Sequence, residues 1–470
     1  MKYDCIIVGA GVAGVYCAYE FMVKNPNAKV LMIEKGKNIY DRKCPVNEHK
    51  IDKCPLRKDG SSGCLPACSI TNGFGGSGAF SDGKFNITTE YGGWLCDYLD
   101  PDIVLDLIKY VDEINLKFGA PKEITDPHTE EVFDIEKRAI AVGLKLLRSK
   151  VRHLGTENNL KIQAKIYEAL KDKIEMLFAT EVTDLVVEDD KVKGVKVKDT
   201  LYEADNVFLS VGRDGSTWLE AMCKKFGIKM TNNQVDIGVR VETNDIIMSE
   251  INKHLYEGKF IYRTSVGTIV RTFCSNPSGY VVVENHSGTM LANGHAYAGD
   301  ELKSKNTNFA LLVSHKFSEP FDIPNDYAHQ VSRLANELSC GSIIVQRYGD
   351  IMKGRRSTQK RIDEGFVRPT LKEAVPGDLG LVLPYNTMKS IIEMIEALDH
   401  VTPGIANEHT LFYGVEAKFY SARPEVSNTF ESKVKGLYFG GDGAGLTRGL
   451  AQASANGVYV ARDILKKLNK

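Results

Sequence analysis

Three glycines, Gly9, Gly11 and Gly14, stand in the run GAGVAG, and an acid, Glu34, follows twenty residues beyond the last of them. That spacing suits a diphosphate. The first glycine permits a tight turn, the second lets the backbone approach a pyrophosphate, and the third lets a helix pack closely on a strand. Val12 and Ala13 lie inside the same turn, where a helix N-terminus would present free N–H groups and the positive end of its dipole. Glu34, with Lys35 beside it, is placed to hydrogen-bond a ribose 2′-hydroxyl and to disfavour a 2′-phosphate. The set predicts a bound dinucleotide.

A second glycine-rich run, Asn72–Asn86 (NGFGGSGAFSDGKFN), sets Gly75, Gly76 and Gly78 among Ser77, Ser81, Asp82 and Lys84. Backbone without side chains can lie against a planar ring and donate N–H groups to it. Lys84 would place a cation beside such a ring and stabilise a reduced, anionic form of it. The other reading is a flexible surface loop.

Just upstream, Cys44, Cys54, Cys64 and Cys68 are separated by nine, nine and three residues. Four converging thiols could ligate zinc or an iron–sulfur cluster, although the spacing contains no CxxC pair. Cys64 and Cys68 could instead act as a dithiol in thiol–disulfide exchange, or all four could be unligated.

Near the C-terminus, Tyr413–Pro424 (YGVEAKFYSARP) gathers Glu416, Lys418, Tyr420 and Arg423. These could orient a substrate or shuttle a proton; equally, Glu416 and Lys418 could be a structural pair on one face of a strand. His286, His295 and His409 are spare acid–base groups. The basic run Lys353–Arg361 reads as a solvated loop, with docking of an anionic substrate or an acidic electron carrier as its other use.

These residues need elements to hold them. Tyr3–Val8 and Lys29–Glu34 read as buried strands around a helical Gly14–Lys24, which puts the glycines between a strand and a helix. A long loop spans Arg42–Asn86, and loops of that length inside a domain are usually functional. Asp134–Arg148 and Asn159–Lys171 read as helices; Ile174–Asp189, Val192–Lys198 and Asn206–Val211 carry strand signals. Val235–Glu284 is rich in strands, and the chain closes with GLYFGG and a helix from about Gly449 to Leu468. Alternation of helix and strand gives way to strand near Gly227 and returns near Gly404, which predicts one domain from residues 1–226 and 404–470 and a second from 227–403.

With 470 residues the chain exceeds a single core. Its 60 basic and 61 acidic residues carry no sign of a nucleic-acid binder or a polybasic membrane anchor. The uncharged run Cys5–Tyr19 is bracketed by Asp4 and Glu20 and is too short to span a bilayer. A cytoplasmic setting, with most of the ten cysteines reduced, is the expectation.

Two further segments resemble flavoproteins with two dinucleotide-binding domains. Leu177–Gly215 is similar to the stretch that returns such chains to the nucleotide fold; the resemblance implies that the Val182 backbone meets the adenine and that Gly212 lies at the return turn. KGLYFGGDGAG resembles their second FAD motif, which implies that Asp442, between Gly441 and Gly443, binds the ribityl chain and that the helix after Gly449 faces the flavin.

Across nearly its full length the chain resembles the bacterial and archaeal FAD-dependent dehydrogenases, most of which lack an assigned substrate. GFGGSGAFSDGKFN, DIGVRVE, NTNFALLV, YGVEAKFYSARPEVSNTF and GLYFGGDGAGLTRGLAQASANGV carry the likeness. It implies an α/β fold, a Rossmann-type FAD domain assembled from both chain ends with an inserted β-rich α+β substrate domain. The chemistry expected of such a flavoprotein is hydride transfer between FAD and a small organic substrate, with NAD(P)H or a protein electron carrier as a partner. A flavin monooxygenase, a thiol–disulfide reductase and a non-catalytic flavin sensor are the alternatives.

Overall fold

All four residues of Cys5–Val8 are buried, the pattern of a strand covered on both faces. In the computed structural model, which describes residues 2–469 except 47, 49, 52–53, 56–62, 82, 256–257, 287 and 297–299, this strand is the centre of a five-stranded parallel sheet. From one edge to the other run Leu437–Phe439, Val207–Leu209, Cys5–Val8, Val30–Ile33 and Glu175–Leu177. Counted along the chain from the far edge, that is the order 3-2-1-4-5 of dinucleotide-binding sheets, whose ligands sit where the order reverses. The reversal lies between Cys5–Val8 and Val207–Leu209.

Two helices, Val12–Lys24 and Leu450–Leu468, pack on each other from opposite ends of the sequence. Only glycine allows their approach: a Cβ on Gly457 would lie 1.9 Å from the Ala13 carbonyl oxygen. The contact also buries Glu20, which accepts from Tyr110 Oη at 2.6 Å and Arg462 Nε at 2.7 Å. The fold is therefore an α/β, Rossmann-type assembly drawing on both chain ends.

Contacts divide the chain into two units. One is Met1–Thr125, Ser149–Asn233 and Ser421–Lys470; the other is Asp126–Arg148 and Gln234–Tyr420. The sequence reading cuts at Gly227 and Gly404, whereas the contacts keep Leu411–Lys418 with the second unit because it hydrogen-bonds along Asp236–Glu242. The predicted helix Asp134–Arg148 is also shorter than expected. It spans Glu130–Ala141, stops at Gly143 with φ +78°, and Leu144–Leu147 becomes an edge strand paired with Lys259–Tyr262.

The second unit is built on an eight-stranded mixed sheet. Its central strand, Val235–Asn244, pairs antiparallel with Asn306–His315 and with Leu411–Lys418. Side chains alternate across a strand, so Val235, Ile237, Val239 and Val241 enter a hydrophobic core. Asp236, Arg240 and Glu242 alternate with them and are equally buried.

Candidate functional site

Four segments far apart in sequence meet at the carboxyl ends of Cys5–Val8 and Val207–Leu209. Gly9 leaves its strand at φ +100°, and a Cβ there would come within 2.8 Å of the Ser210 carbonyl oxygen. Gly14 is closed more tightly still, with a would-be Cβ 2.1 Å from Gly9 O. Gly11 differs: the nearest atom to its would-be Cβ is Ser210 O at 3.9 Å. Two glycines are thus sealed by protein and the middle one fronts open space, which is what a pyrophosphate cradle requires.

The second glycine run lies on this turn. Gly75 N donates to Ala10 O at 2.8 Å, Gly75 bridges to Gly11, and a Cβ on Gly76 would lie 3.1 Å from Gly11 Cα. Gly78 O accepts from Asn159 Nδ2 at 2.6 Å and from Ser81 Oγ at 2.7 Å, while a Cβ on Gly78 would strike the Leu450 side chain. Ser77 is exposed, and Asp82 lies outside the described residues.

The C-terminal motif closes the arrangement. Gly441 N donates to Asn456 Oδ1 at 3.1 Å, Gly443 N donates to Val211 O at 3.1 Å, and a Cβ on Gly443 would lie 2.4 Å from the Gly212 carbonyl oxygen. Both helices begin after a glycine, Gly11 and Gly449, with no side-chain cap and no acid in the first turn. Uncapped first-turn N–H groups and a bare positive dipole end favour an anionic partner.

Glu34 is buried and fastens the pieces together. Its Oε2 accepts from Ala10 N at 2.8 Å, and its Oε1 accepts from Gly36 N at 2.7 Å and Gly73 N at 3.0 Å. A carboxylate offers about four acceptor directions, so one remains for a ribose hydroxyl. Lys35 is ion-paired with Asp214, and Val182 is buried. Asp442 accepts from Thr447 Oγ1 at 2.7 Å. Burial pushes its pKa up, and the Thr447 bond and the Arg213 and Arg448 charges oppose this in part.

FAD fits these residues, on two features: the open backbone at Gly11 and two uncapped helix ends. Gln163 Oε1 is buried without a hydrogen-bond partner and lies 3.2 Å from where a Cβ on Gly75 would stand. Sequence reasoning missed Gln163, because a glutamine inside an amphipathic helix carries no signal of its own.

The other candidates are distributed elsewhere. Lys84 stands on the strand Lys84–Ile87, opposite His153 on Lys150–His153. Arg423 pairs with Asp97 at 2.8 Å and lies 5.6 Å over the Trp94 ring. In the second unit Glu416 and Lys418 do meet, with Lys418 Nζ 3.1 Å from Glu416 Oε1. Glu416 is fully buried and takes Arg240 in a two-pronged bond, Nε to Oε2 at 2.8 Å and Nη2 to Oε1 at 2.7 Å. Arg240 was legible only as one polar residue in the alternating run VDIGVRVE, whose polar side turns out to be buried.

Cys44, Cys64 and Cys68 are half-buried and Cys54 is exposed. Partial burial, then the neighbouring Cys44, Cys68 and Cys64, push the Cys54 thiol up, so the four share one neighbourhood. Among the described residues no group of three or more His, Cys, Asp or Glu is arranged to hold a metal ion. His409 sits beside Arg347 at 3.2 Å, His286 stacks on Phe419 at 4.3 Å, and His295 ends the strand Thr289–His295. No helix among the described residues is long and apolar enough to cross a membrane.

Residues 234–419 match the family model described as FAD-dependent protein, C-terminal domain-like. A protein of Clostridium beijerinckii described as uncharacterized is 26% identical over 490 residues, covering 100% of this chain and 82% of that protein. Among solved structures, the L-proline dehydrogenase of P. horikoshii is 12% identical with a TM-score of 0.39, covering 99% of this chain and 94% of that one. The formate oxidase of Aspergillus oryzae is 13% identical with a TM-score of 0.43, covering 100% and 99%. Likenesses that weak bear on neither substrate nor mechanism. The glycine cradle of the first unit and the FAD-dependent domain matched over residues 234–419 agree on FAD as the cofactor.

Proposed function

We propose that the protein transfers a hydride between FAD and a small organic substrate, oxidising a C–H bond or reducing an activated double bond. The observation that carries this reading is the meeting of the Gly9–Gly14 turn, the Gly75–Gly78 loop, Ser210–Gly215 and Gly441–Gly449 at one end of the parallel sheet. FAD supplies the two-electron chemistry through its flavin ring. The chain's part is to hold it: backbone at Gly11 and the Val12–Lys24 helix end for the pyrophosphate, Glu34 for the ribose, and Asp442 for the ribityl chain.

On the substrate side we assign Lys418 as an orienting cation. Its ammonium rests on Glu416, and Glu416 is locked by Arg240. Burying an ion pair costs desolvation that only good geometry repays, so this pair is suited to holding Lys418 in one place. Lys84 is assigned the role of a cation favouring reduced flavin. NAD(P)H or a protein carrier as electron partner, and a cytoplasmic setting, complete the reading.

The test is anaerobic. The purified protein should show flavin bands that survive in the supernatant after acid precipitation, and a panel of amino acids, hydroxy acids and enoates should include a compound that bleaches or restores the band near ~450 nm. FAD that is bound but is neither reduced nor reoxidised by any carbon substrate, while NAD(P)H and oxygen are consumed together with one oxygen atom entering an organic substrate and the other leaving as water, would replace hydride exchange with monooxygenation. A colourless protein that takes up no FAD would end the reading altogether.

A further inference from the structure

The segment between Glu34 and the second glycine run contains a guanidinium that no cofactor motif accounts for. Arg42 is 4% exposed. Its Nε donates to Ser69 O at 2.9 Å, Nη1 to Phe74 O at 2.6 Å and Nη2 to Ile70 O at 2.8 Å, and its face lies 4.7 Å from the Phe80 ring centroid. Three backbone carbonyls of one loop are therefore gathered by one planar fork. Burial lowers its pKa to about 10, with Glu34 and Cys68 pulling the other way, so it remains a cation at neutral pH.

Its contacts fall where the loop must bend. Gly73 has φ +109°, and a Cβ there would stand 2.5 Å from Lys37 O and 2.7 Å from Arg42 Cδ. Gly73 N donates to Glu34 Oε1, and the chain then runs into Gly75, which bonds Ala10. Arg42 grips the carbonyls on both sides of this bend, and Glu34 holds its amide. A glycine loop of this kind would otherwise pay the full conformational entropy of ordering when a ligand arrives.

We propose that Arg42 is a positioning residue for FAD: it preorganises the Gly73–Gly78 loop over the Gly9–Gly14 turn before the cofactor binds. The proposal rests on the reading that these two glycine segments hold FAD. It predicts that FAD affinity depends on Arg42 through the loop's order, because a preformed site spends less binding energy on ordering.

The test compares two conservative variants in the same unit. Arg42→Lys keeps the charge but cannot span three carbonyls. Arg152→Lys disturbs an equally buried guanidinium, which grips Asp112 at 2.7 and 2.8 Å. FAD titrated into each apo-protein should give a Kd raised about ten-fold or more for Arg42→Lys and within about two-fold of wild type for Arg152→Lys.

Equal FAD loss in both variants, or none in Arg42→Lys, overturns the proposal. Hydrogen exchange across residues 69–80 of wild-type apo-protein gives a second measurement that needs no variant to fold. Protection before FAD is added is expected, and free exchange that becomes protected only with FAD overturns it. A wild-type protein that binds no FAD would instead refute the underlying reading.

Discussion

The two units solve the problem of placing polar groups in opposite ways. The first puts its polar surface at the ends of strands, using backbone: Gly9 and Gly14 are sealed, Gly11 is open, and the helix ends are uncapped. The second carries charge in the middle of a sheet, using side chains: Arg240 and Glu416 are wholly buried on neighbouring strands, with Asn293, Asn308 and the Cys274 carbonyl taking the remaining guanidinium donors. The first arrangement leaves donors available for a ligand. The second spends nearly every donor internally, which makes it rigid and costly to break. The units should therefore fail differently when a single residue is changed.

The largest expected effect is in the second unit. Arg240→Met leaves the Glu416 carboxylate buried without its guanidinium, and removing one partner of such a pair costs about 3–5 kcal/mol. Denaturant unfolding should show that loss, and the double variant Arg240→Met with Glu416→Leu should recover part of it. A loss below ~1 kcal/mol for the single variant would mean that Lys418, 3.1 Å from Glu416 Oε1, or water compensates the carboxylate, and the contrast between the units would weaken.

Next is Gly11→Ala in the first unit. The 3.9 Å clearance admits the methyl group in the apo-protein, so the melting temperature should stay within ~1 °C. FAD affinity should fall about ten-fold, or ~1.4 kcal/mol, because the methyl enters the cofactor's space. Calorimetry with FAD reads both quantities. A variant that melts early yet binds FAD normally would show that Gly11 serves the fold and not the ligand.

The smallest effect is one of pH. Burial holds the Asp442 carboxyl above its ordinary pKa, so between the ordinary and raised values the folded protein binds more protons than the unfolded chain. Stability then falls as pH rises through that window and carries a constant penalty above it. Asp442→Asn should remove the penalty, raising the apo melting temperature by at most ~2 °C at neutral pH, with no gain below the ordinary carboxylate range. FAD binding should weaken at the same time. Equal melting at every pH would show that Thr447, Arg213 and Arg448 already offset the burial.

How much could be read from sequence tracks this contrast. The Gly9–Gly14 turn and Glu34 are local patterns, in which each residue's expected task follows from its neighbours along the chain, and the Gly441–Gly443 motif is equally local, its task implied by the resemblance to flavoproteins. Arg240 and Glu416 are 176 positions apart, and neither VDIGVRVE nor YGVEAK announces the other. Nor does the sequence show that both faces of Val235–Asn244 are buried, since alternating polar residues ordinarily mark a solvated face. The shortened helix at Glu130–Ala141 was missed because pairing with Lys259–Tyr262 captured Leu144–Leu147, a tertiary demand that helical periodicity cannot reveal.

The resemblance to flavoproteins named FAD; by itself the sequence determined a dinucleotide fold using both chain ends and the glycine turns at the ends of its strands. These are set by short-range stereochemistry: glycines where φ is positive or a Cβ has no room, apolar runs of strand length, and an acid at a strand end. Tertiary structure alone decided that Arg42 gathers the second glycine loop, that Gln163 lies buried beside it, and that Glu416 answers to Arg240. Each of those depends on side chains brought together by strand order and helix packing, and hydrogen-bond partners chosen that way leave no spacing in the chain to read.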